Sequence, residues 1–167
     1  TSRRHRDEGF FTPQVRDVSV VHAHLREASH DLLLGHYRGV DSLMNAEVEV
    51  DEIMRGALTQ ALALRQFPGD LNRSRLFVKP DSLRVGARAE NAARGGVEKP
   101  ALAHAIVTGL GTPGELTPET LRETVLNALL SYALRQLELA SVLGTRKDGQ
   151  PLRLGLSSTL IGTSTSM

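Results

Sequence analysis

The stretch "AHAIVTGLGTPGELTPETL", residues 103–121, runs from an apolar, strand-like segment through three glycines to a helix start. Gly109, Gly111 and Gly114 have the G-x-G-x-x-G spacing of a dinucleotide-binding turn. In such a turn the helix opens among the glycines, so that its N–H groups face a pyrophosphate, and an acidic residue follows about 20 positions on. Here the helix begins later. Thr117 is a good N-cap, Pro118 suits the first helical position, and Leu116 can staple onto Leu121. Pro113 removes a backbone donor from the turn. The position where the acidic residue belongs lies inside the helix, with only Glu138 near. The stretch therefore reads as a buried strand, a glycine-rich turn and a long helix. A turn of this kind still holds an anion where its N–H groups converge.

Outward from this stretch, the helix carries Leu121, Val125, Leu129, Ala133, Leu137 and Ala140 at helical spacing, which predicts one buried stripe ending near Gly144. Three further apolar runs, "VRDVSVVHAHL" from Val15, "DLLLGHY" from Asp31 and "SRLFVKP" from Ser74, read as strands bounded by turn formers. A helical region is expected from Ser42 to Arg65, with Ile53, Met54, Ala57, Leu58 and Ala61 on one side and Gly56 able to break it in two. Residues 81–100 read as a long loop. In the last stretch, Leu152, Leu154, Leu156, Leu160 and Ile161 predict a final strand in the same sheet as "AHAIVTG". A strand with no helix after it reads as part of a larger protein. Strands alternating with helices predict an α/β sandwich with a mixed sheet, residues 1–14 forming a tail and 15–167 the domain.

Composition narrows the function classes. A chain of 167 residues, 40% of them hydrophobic, suits one domain with a proper core. No cysteine is present, which excludes disulfides, thiolate metal sites and a cysteine nucleophile. The formal net charge of +1 argues against a protein whose main partner is a nucleic-acid backbone. No apolar run is long enough to span a bilayer, so a cytoplasmic protein without membrane contact is expected. The basic stretch from Arg65 to Lys99 and the acidic block of Asp41, Glu47, Glu49, Asp51 and Glu52 read as solvated faces.

Chemistry-bearing clusters are few. His22 and His24 lie two apart, with His30 and His36 downstream, but two histidines on one strand make no metal site by themselves. No metal or cofactor is expected. Gly35, His36, Tyr37 and Asp41 lie in "GHYRGVD", at a strand end where α/β sheets place ligand crevices. Ser157, Ser158, Ser164 and Ser166 have neither a G-x-S-x-G context nor an evident base. No catalytic residue is assigned.

"AIVTGLGTPGELTPETLRETVLNALLSYA" resembles the glycine-rich turn and long helix of the N-terminal, macrodomain-like domain of leucyl-aminopeptidase-type proteins, and "LTQALALRQFPGDLNRSRLFVKP" resembles the segment before it. A closer resemblance is to domains of this kind in large bacterial proteins that carry CHAT (caspase-like) protease regions. It rests on "VVHAHL", "GHYRGVD", "NAE", "FPG" and "LIGTSTS", in that order between Val15 and Thr163. The resemblance implies a macrodomain-like three-layer sandwich that contacts neighbouring domains of its own polypeptide, a CHAT protease region among them, in regulation or defence. Aminopeptidase chemistry belongs to a separate domain whose metal ligands are not found here. Macrodomains that bind ADP-ribose place an Asp after the first strand; His24 stands at that place and Ala23 replaces the neighbouring glycine. The expected ligand-facing residues are Gly35, His36, Tyr37, Asp41, Gly109, Gly111, Gly114, Gly162 and Thr163. A non-catalytic module of a larger bacterial protein that binds a ligand or packs against neighbouring domains is the leading expectation. A nucleotide or phosphorylated-metabolite pocket and an ADP-ribose hydrolase are the alternatives. Plugged loops would mark the first, an open cleft with convergent N–H groups the second, and a titratable group aimed into the cleft the third.

Overall fold

The computed structural model describes residues 17–20, 24–28, 30–80, 102–142 and 154–159. In chain order the elements are β1 (Asp31–His36), α1 (Ala46–Ile53), α2 (Ala57–Ala63), β2 (Ser74–Val78), β3 (His104–Gly109), α3 (Pro118–Val142) and β4 (Leu156–Ser158). The sheet order is β2-β3-β1-β4. β1 runs parallel to both β3 and β4, and β2 runs antiparallel to β3. Among the described residues this is a mixed four-stranded sheet with three helices.

The run Leu32-Leu33-Leu34 is apolar throughout because β1 is covered on both faces. Leu32 and Leu34 join Val50, Met54, Leu58, Ala61, Phe77, Ala105 and Val107 under α1 and α2. Leu33 points the other way and packs with Ile106, Ala128 and Tyr132 under α3. Successive residues thus serve opposite layers, and a slip of one residue would exchange the two cores.

Gly56, at φ +83°, ends α1's run and starts α2. Asp51 then caps α2, accepting from Leu58 N–H at 2.7 Å and Thr59 N–H at 3.1 Å. At the start of α3, the Thr117 hydroxyl accepts from Thr120 N–H at 3.2 Å, as its N-cap reading requires. β4 lies beside β1 in the same sheet as β3, with Leu156 packed against the α3-side core. Leu160, Ile161, the loop reading of 81–100 and the helix end at Gly144 fall outside the described residues.

Two expectations are corrected. Residues 17–20 and His24 are not in a strand, and Leu25–Glu27 form a single 3₁₀ turn, its start capped by His24 Nδ1 accepting from Arg26 N–H. An apolar run does not by itself supply a neighbouring strand to pair with, and here Val18 and Val20 are exposed. The buried stripe of α3 is Thr124, Ala128 and Tyr132, with Ala133; the remaining residues of the expected stripe are only half-buried. Leucines spread over an arc of this helix wider than one buried face, so their spacing does not select it. Small residues do, by letting the helix approach the sheet. Asn72, at φ +61°, accepts from the Thr124 hydroxyl at 3.3 Å and from Asn127 Nδ2 at 3.0 Å, fixing the same rotation.

The glycine turn leaves the C-terminal end of β3, and all three glycines precede α3. A Cβ on Gly109 would stand 2.1 Å from the Asp70 carbonyl oxygen, a clash with backbone. Gly109→Ala is therefore expected to cost about 3 kcal/mol or more through enforced backbone displacement. Thr117→Ala, which loses only a cap, is expected to cost about 1 kcal/mol. Urea unfolding of both variants checks the order, and equal losses would show that the loop before β2 yields easily.

Candidate functional site

The C-terminal ends of β1 and β3 bring together the residues singled out from sequence, at the edge where open α/β sheets bind ligands. Gly35 pairs with Thr108 and His36 with Gly109 across the parallel ladder, so "GHYRGVD" and the glycine turn leave the sheet side by side. Gly162 and Thr163 lie outside the described residues.

His36 is buried, 5% exposed, and points into the protein. Its Nδ1 lies 2.8 Å from Glu47 Oε1 and its Nε2 3.0 Å from the Val40 carbonyl oxygen. The edge of the Phe67 ring closes over it, with centroids 4.6 Å apart. Both ring nitrogens face acceptors, and the protonated imidazolium satisfies both by donating. Burial opposes that charge, but the Glu47 hydrogen bond and charge, the Val40 carbonyl and the more distant Asp41 outweigh it, and the pKa is raised. Glu47 is fully engaged as well, its Oε2 accepting from Met44 N–H at 3.0 Å. A buried ion pair thus ties the end of β1 to the first turn of α1.

The glycine turn is equally committed. Gly109 N–H donates to the Arg73 carbonyl, Leu110 N–H to the His36 carbonyl and Gly111 N–H to the Gly69 carbonyl, at 2.8, 2.8 and 2.9 Å. Gly111, at φ +71°, turns the chain over Leu71, whose Cγ a Cβ would meet at 3.0 Å. Gly114, at φ +90°, faces open space. Above the turn Arg38 spans three loops. Its N–H donates to the Gly111 carbonyl at 2.8 Å, and its guanidinium donates to Thr112 Oγ1 at 2.9 Å and Asp70 Oδ1 at 3.3 Å. Tyr37 is half-buried and Asp41 exposed.

A second polar cluster, absent from the sequence reading, lies at the opposite end of the same strands. Asp31 Oδ1 accepts from His104 N–H at 2.9 Å, and Oδ2 lies 2.7 Å from His104 Nδ1 and 2.5 Å from the Tyr132 hydroxyl. Burial alone would raise the Asp31 pKa, but the hydrogen bonds from His104 and Tyr132 and the charge of His104 hold it below its ordinary value. Burial and the neighbouring carboxylate push the Tyr132 hydroxyl up, so it stays protonated and donates. The three side chains join β1, β3 and α3. A histidine within the apolar run "ALAHAIVTG" was the one available signal, and nothing local linked it to residues far along the chain.

The acidic block is less solvated than its composition suggests. Glu47 pairs with His36, Asp51 caps α2, and Glu52 pairs with Arg26. His24 lies 3.8 Å from Glu49, and His22 is outside the described residues. Among the described residues no three His, Cys, Asp or Glu side chains converge as metal ligands, and no helix is long and apolar enough to cross a membrane. Ser158 donates to the Leu33 carbonyl at 3.3 Å. Compared with known proteins, the chain matches no family model, and no curated protein matches its sequence.

The raised pKa of His36 gives a signed expectation for stability. Its contribution is complete below the ordinary value of 6.5 and is lost as pH rises through the raised folded value. The stability difference between the unaltered chain and His36→Gln should therefore shrink as pH rises from about 6 to about 9. Denaturant titrations across that range check this, and a difference that grows with pH would contradict the ion pair.

Proposed function

We propose that the chain is a non-catalytic, macrodomain-like interaction module of a larger, cytoplasmic bacterial protein, set beside a CHAT-type protease region in a regulatory or defence system. The observation that carries this reading is the state of the C-terminal crevice. The N–H groups of Gly109, Leu110 and Gly111 all donate to backbone carbonyls. A phosphate held there would have to compete with bonds already made. The imidazole at the strand end is turned inward against Glu47 and is not aimed at an incoming ligand. The Arg38 guanidinium beside it is engaged by Asp70 and Thr112.

The sequence resemblance supplies the family context and the protease neighbour. His24 Nδ1 accepts a backbone N–H, a local role.

Calorimetry with ADP-ribose, ATP, AMP and inorganic phosphate tests the reading. No saturable heat is expected from any of them, with the intact chain or with Gly111→Val. Saturable binding that Gly111→Val abolishes would replace the interaction module with a phosphate-binding pocket, and turnover of ADP-ribose would replace it with a hydrolase.

A further inference from the structure

The hydrogen bonds between β2 and β3 fix which way each β2 residue turns its backbone. Gly109 N–H donates to the Arg73 carbonyl and Lys79 N–H to the Ala103 carbonyl, and the register pairs Arg75 with Val107 and Phe77 with Ala105. Residues 73, 75, 77 and 79 therefore bond inward, and Ser74, Leu76 and Val78 direct their N–H and C=O groups to the open edge of the sheet. Among the described residues no strand lies beyond β2. The side chains of the same three residues line a groove of about 320 Å³, with Ile106 beneath and Ala128, Ser131, Tyr132 and Arg135 of α3 as its wall. Backbone groups and an apolar floor thus share one register, which is what strand addition requires: main-chain bonds for affinity and a recess for alternate side chains.

The charge on this edge selects the occupant. Arg75 lies 5.4 Å from the Phe77 ring and, among the described residues, donates to Gln66, to its carbonyl and to Oε1, both at 3.0 Å. Neither Arg75 nor Arg73 has an acidic partner among the described residues. A second copy paired antiparallel about Leu76 would set Arg73 against Lys79 at both ends, and directly opposed like charges are destabilising. Basic residues on an edge discourage self-pairing in this way. They attract an acidic strand.

We propose that the β2 edge binds an extended segment of a partner protein by strand addition, the segment alternating apolar residues, which enter the groove beside α3, with acidic residues, which meet Arg73 and Arg75. This rests on the interaction reading and names the surface and the chemistry of the partner.

The test uses the full chain and two labelled peptides, Val-Glu-Leu-Asp-Val-Glu-Leu-Asp and its twin with Lys and Arg for the acids, followed by fluorescence anisotropy. Saturable binding of the acidic peptide is expected, at least about tenfold tighter than the basic twin. Arg75→Glu should reverse that preference. Leu76→Pro removes an outward N–H that the β2–β3 ladder does not use, and should weaken both peptides. If Leu76→Pro fails to fold, Arg75→Glu decides alone, alongside slowed amide exchange at Leu76 and Val78 in the unaltered chain with the acidic peptide. Equal binding of the twins, no binding of either, or a concentration-dependent dimer lost in Leu76→Pro would overturn the proposal. Heat with ADP-ribose would instead strike the interaction reading, so the two failures are distinct.

Discussion

The buried His36–Glu47 ion pair governs what the C-terminal edge of this sheet can do. Its cost is the desolvation of two charges, which is offset only because every acceptor and donor is used: Glu47 by His36 and Met44, His36 by Glu47 and Val40. Removing one partner strands a charge in an apolar surround beside Phe67. The pair thereby holds α1 against the end of β1 and turns inward the one histidine at the crevice. With that side chain withdrawn, the loops above can close on one another through Arg38, Asp70 and Thr112. A fold whose architecture favours ligand binding at this edge is here occupied by its own groups.

At the other end of the strands, Asp31 plays the matching role. Its carboxylate takes bonds from β3 and α3 at once, so it sets the position of the long helix over the sheet. Thr124 and Ala128 allow the close approach, and Asn72 anchors the helix a turn earlier. α3 consequently lies over β3 and β2, and Leu76 and Val78 line a groove between the helix and the outer edge of β2. The closed crevice and the open edge are therefore both consequences of where two buried polar clusters hold the helices.

Much of the frame was legible because its signals are local. "DLLLGH" and "HAIVTG" are apolar runs of strand length closed by glycine or a turn, Thr117-Pro118 marks a helix start from adjacent residues alone, and Gly56 breaks a helix through its own backbone freedom. The strand reading of "VRDVSVVHAHL" fails at residues 17–20 and His24 because an apolar run says nothing about whether a neighbouring strand exists. The α3 stripe was misplaced because leucines spread over more than one face of that helix and the choice of face is made by Asn72 and Asp31. The site was legible in position and not in state. Sequence brought His36 and the glycines to one edge, but Glu47, eleven residues further on, looked like part of a solvated acidic block. Its pairing exists only once α1 has folded back over β1, and the Asp31 cluster closes across even longer separations.

The most direct measurement is the protonation state of the His36 ring by ¹⁵N-detected NMR of the folded chain, with and without ADP-ribose. The ring should titrate above the ordinary value of 6.5, with the Nδ1 proton protected from exchange, and neither ring-nitrogen resonance should move on adding the nucleotide. A neutral ring that titrates at the ordinary value of 6.5 and shifts with ADP-ribose would mean that the crevice is open and that His36 belongs to a ligand.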